Sequence, residues 1–139
     1  MFGRGLRPST EFDFHLYYYI MEKKINRMQQ EFIEKMQQRQ NELLEKFDAT
    51  GYVVAGYGGN TYYCFVGEGN GFNGAAIAPM SGHPKIFDNY HDAECKAYNG
   101  IYMNGRNDII ELEIITAGTY FRRIHTMTER LLQNFKELL

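Results

Sequence analysis

Arg122 and Arg123 follow Tyr120 and Phe121 in a segment that reads as the first turns of a helix. Cationic side chains oppose the dipole there, because a helix N-terminus is already positive. Each guanidinium offers a planar fork of N–H donors that matches a phosphate or carboxylate. Two of them so placed, with Arg106, His125 and nearby tyrosines, would form a pocket for an anionic or aromatic ligand. Gly118 and Thr119 would add backbone N–H donors. The competing expectation is ion pairing with Glu111, Glu113 or the first helix across an interface.

Gly69-Asn70-Gly71-Phe72-Asn73-Gly74 matches G-x-G-x-x-G, the spacing of a dinucleotide loop. That chemistry needs the loop to open a helix whose N-terminus holds the pyrophosphate. Pro79 ends any such helix after four or five residues, so the expectation is a plain glycine loop or a small backbone anion nest. His91 and Cys95 stand four apart, and on a helix both would reach one zinc ion; Cys64 or His83 would have to complete the ligand set. The same pair would also suit a thiol nucleophile with an imidazole base. Neither has a supporting motif, and polar residues capping turns or satisfied in a core are the plainer reading.

Composition narrows the function classes. The chain carries 15 Lys and Arg against 17 Asp and Glu, a net charge of −2, which disfavours nucleic acid as a partner. Residues 49–117 hold 3 basic and 7 acidic groups, net −4, while residues 118–139 hold 4 basic and 2 acidic, net +2. An acidic middle and a basic tail suit docking of one on the other. Two cysteines, Cys64 and Cys95, do not make a disulfide framework, and free thiols in a reducing cytoplasmic setting are expected. No window nears the roughly 20 apolar residues that span a bilayer, so no membrane association is expected. The 11 Tyr and 10 Phe are an unusual aromatic load, and 44% hydrophobic residues suffice for a core.

The elements that must position these residues are read from periodicity. Residues 1–12 read as a flexible arm, with Ser9 or Thr10 capping the helix that begins near residue 13. Residues 13–48 lack Gly and Pro and read as one long helix. Its stripe is Met21, Ile25, Met28, Phe32, Met36, Gln40, Leu43 and Phe47, a helical period rather than a strict heptad. Such a helix would run roughly 54 Å. A compact domain of this size has a radius of gyration near ~14 Å. The helix would therefore overhang, and a second copy of the chain is the economical cover for its apolar stripe. At least one ring of Tyr17-Tyr18-Tyr19 would meet that partner.

Gly51 ends the helix, and residues 52–57 and 61–66 form a hairpin around Gly58-Gly59-Asn60. Residues 108–116 read as a third strand, with Ile110, Leu112 and Ile114 on one face and Glu111 and Glu113 on the other. Residues 87–103 fit either a helix or, toward 98–103, a bent strand. Asn104-Gly105 is a turn. Residues 119–139 read as a second helix capped by Thr116 or Thr119, with a stripe of Phe121, Ile124, Met127 or Thr128, Leu131, Phe135 and Leu138, and with Leu138-Leu139 packed.

The whole describes a single α+β domain, with a long N-terminal helix and a C-terminal helix on a small antiparallel sheet spanning the region 51–117. The leading functional expectation is an oligomeric protein-interaction or adaptor module without catalytic activity, self-associating through the long helix and open to a further protein partner. The alternative is a module binding an anionic or nucleotide-like small molecule through Arg122, Arg123, Arg106, Tyr120, Gly69 and Gly71. An enzyme ranks third, because spacing alone assembles no nucleophile, base and stabiliser together. No metal or cofactor is expected.

Overall fold

A computed structural model describes residues 13–67, 76–99 and 102–139. The chain runs through helix α1 (Phe14–Leu44), strands β1 (Tyr52–Gly58), β2 (Thr61–Phe65) and β3 (Ile77–Pro79), helix α2 (Tyr90–Asn99), strand β4 (Glu111–Thr116) and helix α3 (Ala117–Glu137). The architecture is the α+β class expected, with a four-stranded antiparallel sheet in the order β3-β2-β1-β4. Two compact units divide the chain, one ending at Gln37 and one beginning at Gln38.

The first unit is helical. Asp13 caps the described start of the helix: the carboxylate accepts from the Leu16 N–H at 3.0 Å, and Tyr17 N–H donates to the Asp13 carbonyl, while Ser9 and Thr10 lie outside the described residues. A carboxylate at this end also complements the helix dipole. Leu16, Tyr18, Tyr19, Ile20, Ile25 and Met28 are all exposed. Tyr17 and Tyr18 meet edge to face, and the Lys23 ammonium lies over the Tyr19 ring.

The second unit is built around the sheet. The helix ends at Leu44, short of the expected residue 48, because the chain tightens into i to i+3 bonds at Lys46, Phe47 and Ala49. This tightening brings Phe47 and Ala49 against the core. Gly51, at φ +99°, then turns the chain into β1. The hairpin has a two-residue loop, Gly59-Asn60, with Gly58 paired to Thr61. Gly59 at φ +62° with no positive φ at Asn60 is the II′ arrangement, whose twist matches the flanking strands.

Both faces of the sheet are covered, since alternate residues of each strand point to opposite sides. One face carries Val53, Ala55, Tyr62 and Cys64, packed with Leu43 of α1 and with Tyr120, Phe121 and Ile124 of α3. The other carries Val54 and Phe65, packed with Phe87 and with Ala93 and Ala97 of α2. The expected third strand is present as β4, paired with β1. Leu112 and Ile114 join the α2 side and Ile115 the α3 side, so the face shared with the glutamates is partly covered.

Residues 90–99 are helical, residues 100 and 101 lie outside the described residues, and Met103 forms an isolated antiparallel bridge with Ile109. Asn89 caps the helix, its Oδ1 accepting from Asp92 N–H at 2.9 Å. Phe87 instead pairs with Tyr52 as an isolated bridge. The Asn104-Gly105 turn is built by the Asn104 side chain, whose Oδ1 accepts from the N–H groups of Arg106 and Asp108.

Helix α3 is capped by Thr116, whose hydroxyl accepts from Thr119 N–H at 3.3 Å. Its buried row is Tyr120, Ile124, Thr128 and Leu132, with Phe121 beside it. This corrects the expected stripe: Leu131 is half-exposed, and Leu138 and Leu139 are 85% and 61% exposed rather than packed. A 21-residue helix is about 31 Å long. The longest strand has 7 residues, or about 24 Å. The last turns of α3 accordingly have less sheet to lie on.

Gly118 marks the closest approach between α3 and the chain leaving α1. A Cβ there would stand 2.5 Å from the Phe47 carbonyl oxygen. Gly→Ala in a helix ordinarily stabilises, by about 1 kcal/mol. Here the sign reverses: Gly118→Ala is expected to lower stability by about 1–3 kcal/mol. Urea unfolding measured against the parent checks it, and a stabilised variant contradicts this packing.

Candidate functional site

A cleft of about 390 Å³ runs along the outer flank of α3, lined by Thr119, Arg122, Arg123, Thr126, Met127 and Arg130, with Tyr57 of β1 as its opposite wall. The helix places these side chains in two rows, 119-123-127 and 122-126-130, each recurring every four residues. The buried side of α3 holds the helix on the sheet and so turns this flank outward.

Arg123 is anchored. Its Nη1 donates to Glu113 Oε1 at 2.6 Å and to the Tyr62 hydroxyl at 3.2 Å. The carboxylate first, and the phenol second, push the guanidinium pKa upward, so this group stays cationic. The ion pair joins the acidic middle of the chain to its basic tail. Arg122 lies over the Phe47 ring, 5.2 Å from its centroid, a cation–π contact. Arg130 has no acidic partner among the described residues, and its neighbours three and four positions away are Thr126, Met127, Gln133 and Asn134.

The structure thus unites two of the expected ligand-binding residues, Arg122 and Arg123, and separates others. Tyr120 faces the core, fully buried, with its hydroxyl donating to the Ser81 carbonyl at 2.7 Å. It is a packing residue, because the helix turns position 120 toward the sheet while 122 points away and 123 reaches only the sheet's edge at Glu113 and Tyr62. Arg106 sits on the 104–108 turn and is not in the cleft wall. His125 packs edge-on against Phe47 instead of lining the cleft. Gly69 and Gly71 lie outside the described residues, as does the whole G-x-G-x-x-G run, residues 69–74.

Arg130 and Thr126 were within reach of sequence reasoning, since both continue the four-residue row from Arg122. Tyr57 was not, because only the strand pairing sets it opposite α3. No carboxylate, imidazole or thiol is among the described residues lining the cleft. The arrangement can hold an anion, with the hydroxyls of Tyr57, Thr119 and Thr126 beside the guanidinium groups.

His91 and Cys95 do meet on α2, with Nε2 and Sγ 3.8 Å apart on an exposed face. Cys64 cannot join them, because it is buried on the α3 side of the sheet while α2 covers the other side. The same separation keeps the two cysteines from bridging each other. Among the described residues no group of three or more His, Cys, Asp or Glu side chains could hold a metal ion. No described helix is long and apolar enough to cross a membrane. Comparison with protein-family models, curated proteins and solved structures finds no match to this chain.

Burial raises the pKa of Cys64 and, more strongly, that of Tyr120, where the neighbouring Cys64 adds to the effect. Both groups ionise more readily unfolded, near their ordinary values of 9.0 and 10.0. Their contribution to stability is therefore complete below about pH 9 and is lost as pH rises beyond it. Urea midpoints measured from about pH 8 to about pH 11 are expected to fall, and to fall less steeply in a Cys64→Ala, Tyr120→Phe double variant. Parallel curves for parent and variant would contradict this.

Proposed function

We propose that this protein is a non-catalytic interaction module that self-associates through the first part of α1. The observation that carries the reading is the apolar stripe of that helix, on which Ile25 and Met28 stand about half-exposed and Phe32 is exposed beside them. Helical stability in proteins comes mostly from packing an apolar face, and isolated helices are marginal in water. Burying the open part of each such side chain contributes about 1 kcal/mol.

A second copy is the occupant that the pattern favours. The stripe Met21, Ile25, Met28, Phe32, Met36 reads nearly the same in both directions. A two-fold antiparallel pair centred between residues 28 and 29 sets Met21 against Met36 and Ile25 against Phe32. Such a closed interface repeats each contact twice. The segment 13–37 holds 4 basic and 4 acidic residues, so no net repulsion opposes it.

Light scattering over a wide concentration range is expected to show a dimer, and Ile25→Asp to shift it to monomer. In a Cys95→Ser background, Met28→Cys is expected to cross-link with itself under mild oxidation, whereas Met21→Cys is not. A parent chain that stays monomeric near 16.2 kDa overturns the reading.

A further inference from the structure

We propose that the arginine cleft on α3 binds a small phosphate monoester carrying a planar organic group, the chemistry of a nucleoside monophosphate. This rests on residues of the second unit and is independent of self-association through α1.

The charge balance comes first. Arg122, Arg123 and Arg130 bring three positive charges to the cleft, and Glu113 on Arg123 offsets one. A phosphate monoester carries about −1.5 to −2 at neutral pH and presents three strong acceptor oxygens, which matches the surplus of two. Donors are available as well as charge. Arg123 engages Glu113 and Tyr62 through Nη1, leaving Nε and Nη2 for a ligand. Arg122 is held by a ring rather than a carboxylate, so its forked donors are also uncommitted to an acid.

The wall opposite the arginines sets the organic part. Tyr57 is 52% exposed, and its ring packs on Tyr62 with centroids 4.9 Å apart, which steadies it. Its open face is suited to stacking a planar group, and Met127 supplies an adaptable apolar contact. A cleft of about 390 Å³ suits a small ligand. An extended polyanion fits less well, because Glu111 and Glu113 border the groove on the other side of Tyr57. A strand of phosphates running past that ring would meet both carboxylates.

The probes are adenosine 5′-monophosphate, adenosine and inorganic phosphate, titrated into the full chain by calorimetry with thermal unfolding alongside. The monophosphate is expected to bind saturably and raise the melting temperature, adenosine to do neither, and phosphate to bind at least about tenfold more weakly. Arg122→Gln and Arg130→Gln are each expected to weaken monophosphate binding by about tenfold or more, with oligomer size unchanged in both and unfolding unchanged in Arg130→Gln, which removes no contact to the core. Tyr57→Ala is expected to bring the monophosphate down to the affinity of phosphate. No binding of the monophosphate, equal binding of adenosine, or full binding in both arginine variants would overturn the proposal. Equal binding of phosphate and monophosphate by the parent would overturn the planar-group assignment.

Discussion

Three successive backbone carbonyls, those of Met80, Ser81 and Gly82, hold the second unit together. Arg39 donates to the first, the Tyr120 hydroxyl to the second at 2.7 Å, and Lys46 to the third at 3.0 Å. Those donors come from the end of α1, from α3, and from the turn after α1. A loop of three residues thus ties both helical elements to the strand that precedes it. Backbone carbonyls taken out of water must find donors, so the contact satisfies the loop and orients the helices together. Met80 adopts φ +44° there, an uncommon value for a side-chain-bearing residue.

The outward flank of α3 is a result of this anchorage. Tyr120 can reach Ser81 only if position 120 faces inward, and a helix then turns 122, 126 and 130 away from the core. The arginine row is presented because its neighbour is committed. Arg123, on the border between the two directions, is drawn down to Glu113 and Tyr62 and closes the gap between helix and sheet. The surplus charge of the cleft is therefore a consequence of the same packing that buries Tyr120, Phe121 and Ile124.

The sheet divides the chain's reactive side chains as firmly as it joins the helices. Cys64 lies beneath α3 with its thiol in a dry aromatic setting, and Cys95 lies on α2 in contact with His91. Residue type alone allowed these groups to combine, and an intervening layer of backbone keeps them apart.

Much of the fold was legible in the chain itself. The absence of Gly and Pro between residues 13 and 48 made a helix, alternation around Glu111 and Glu113 made a strand, and Gly58-Gly59-Asn60 made a hairpin turn, because each is a local consequence of backbone freedom or side-chain period. The pairing of Arg122 and Arg123 as a charged pair on a helix was legible for the same reason. Tertiary structure alone decided where α2 begins and which face it covers, since the helical spacing read from Phe87 onward is cut short where Phe87 bridges Tyr52 and the helix starts at Tyr90. It also decided which side of α3 is buried. The apolar residues of that helix span more than one stripe, and only the distance to Ser81 and the sheet selects Tyr120 for the core and leaves Leu131 half-exposed. Tyr57 faces the arginines through strand register, a relation between segments some 60 residues apart that no local pattern encodes.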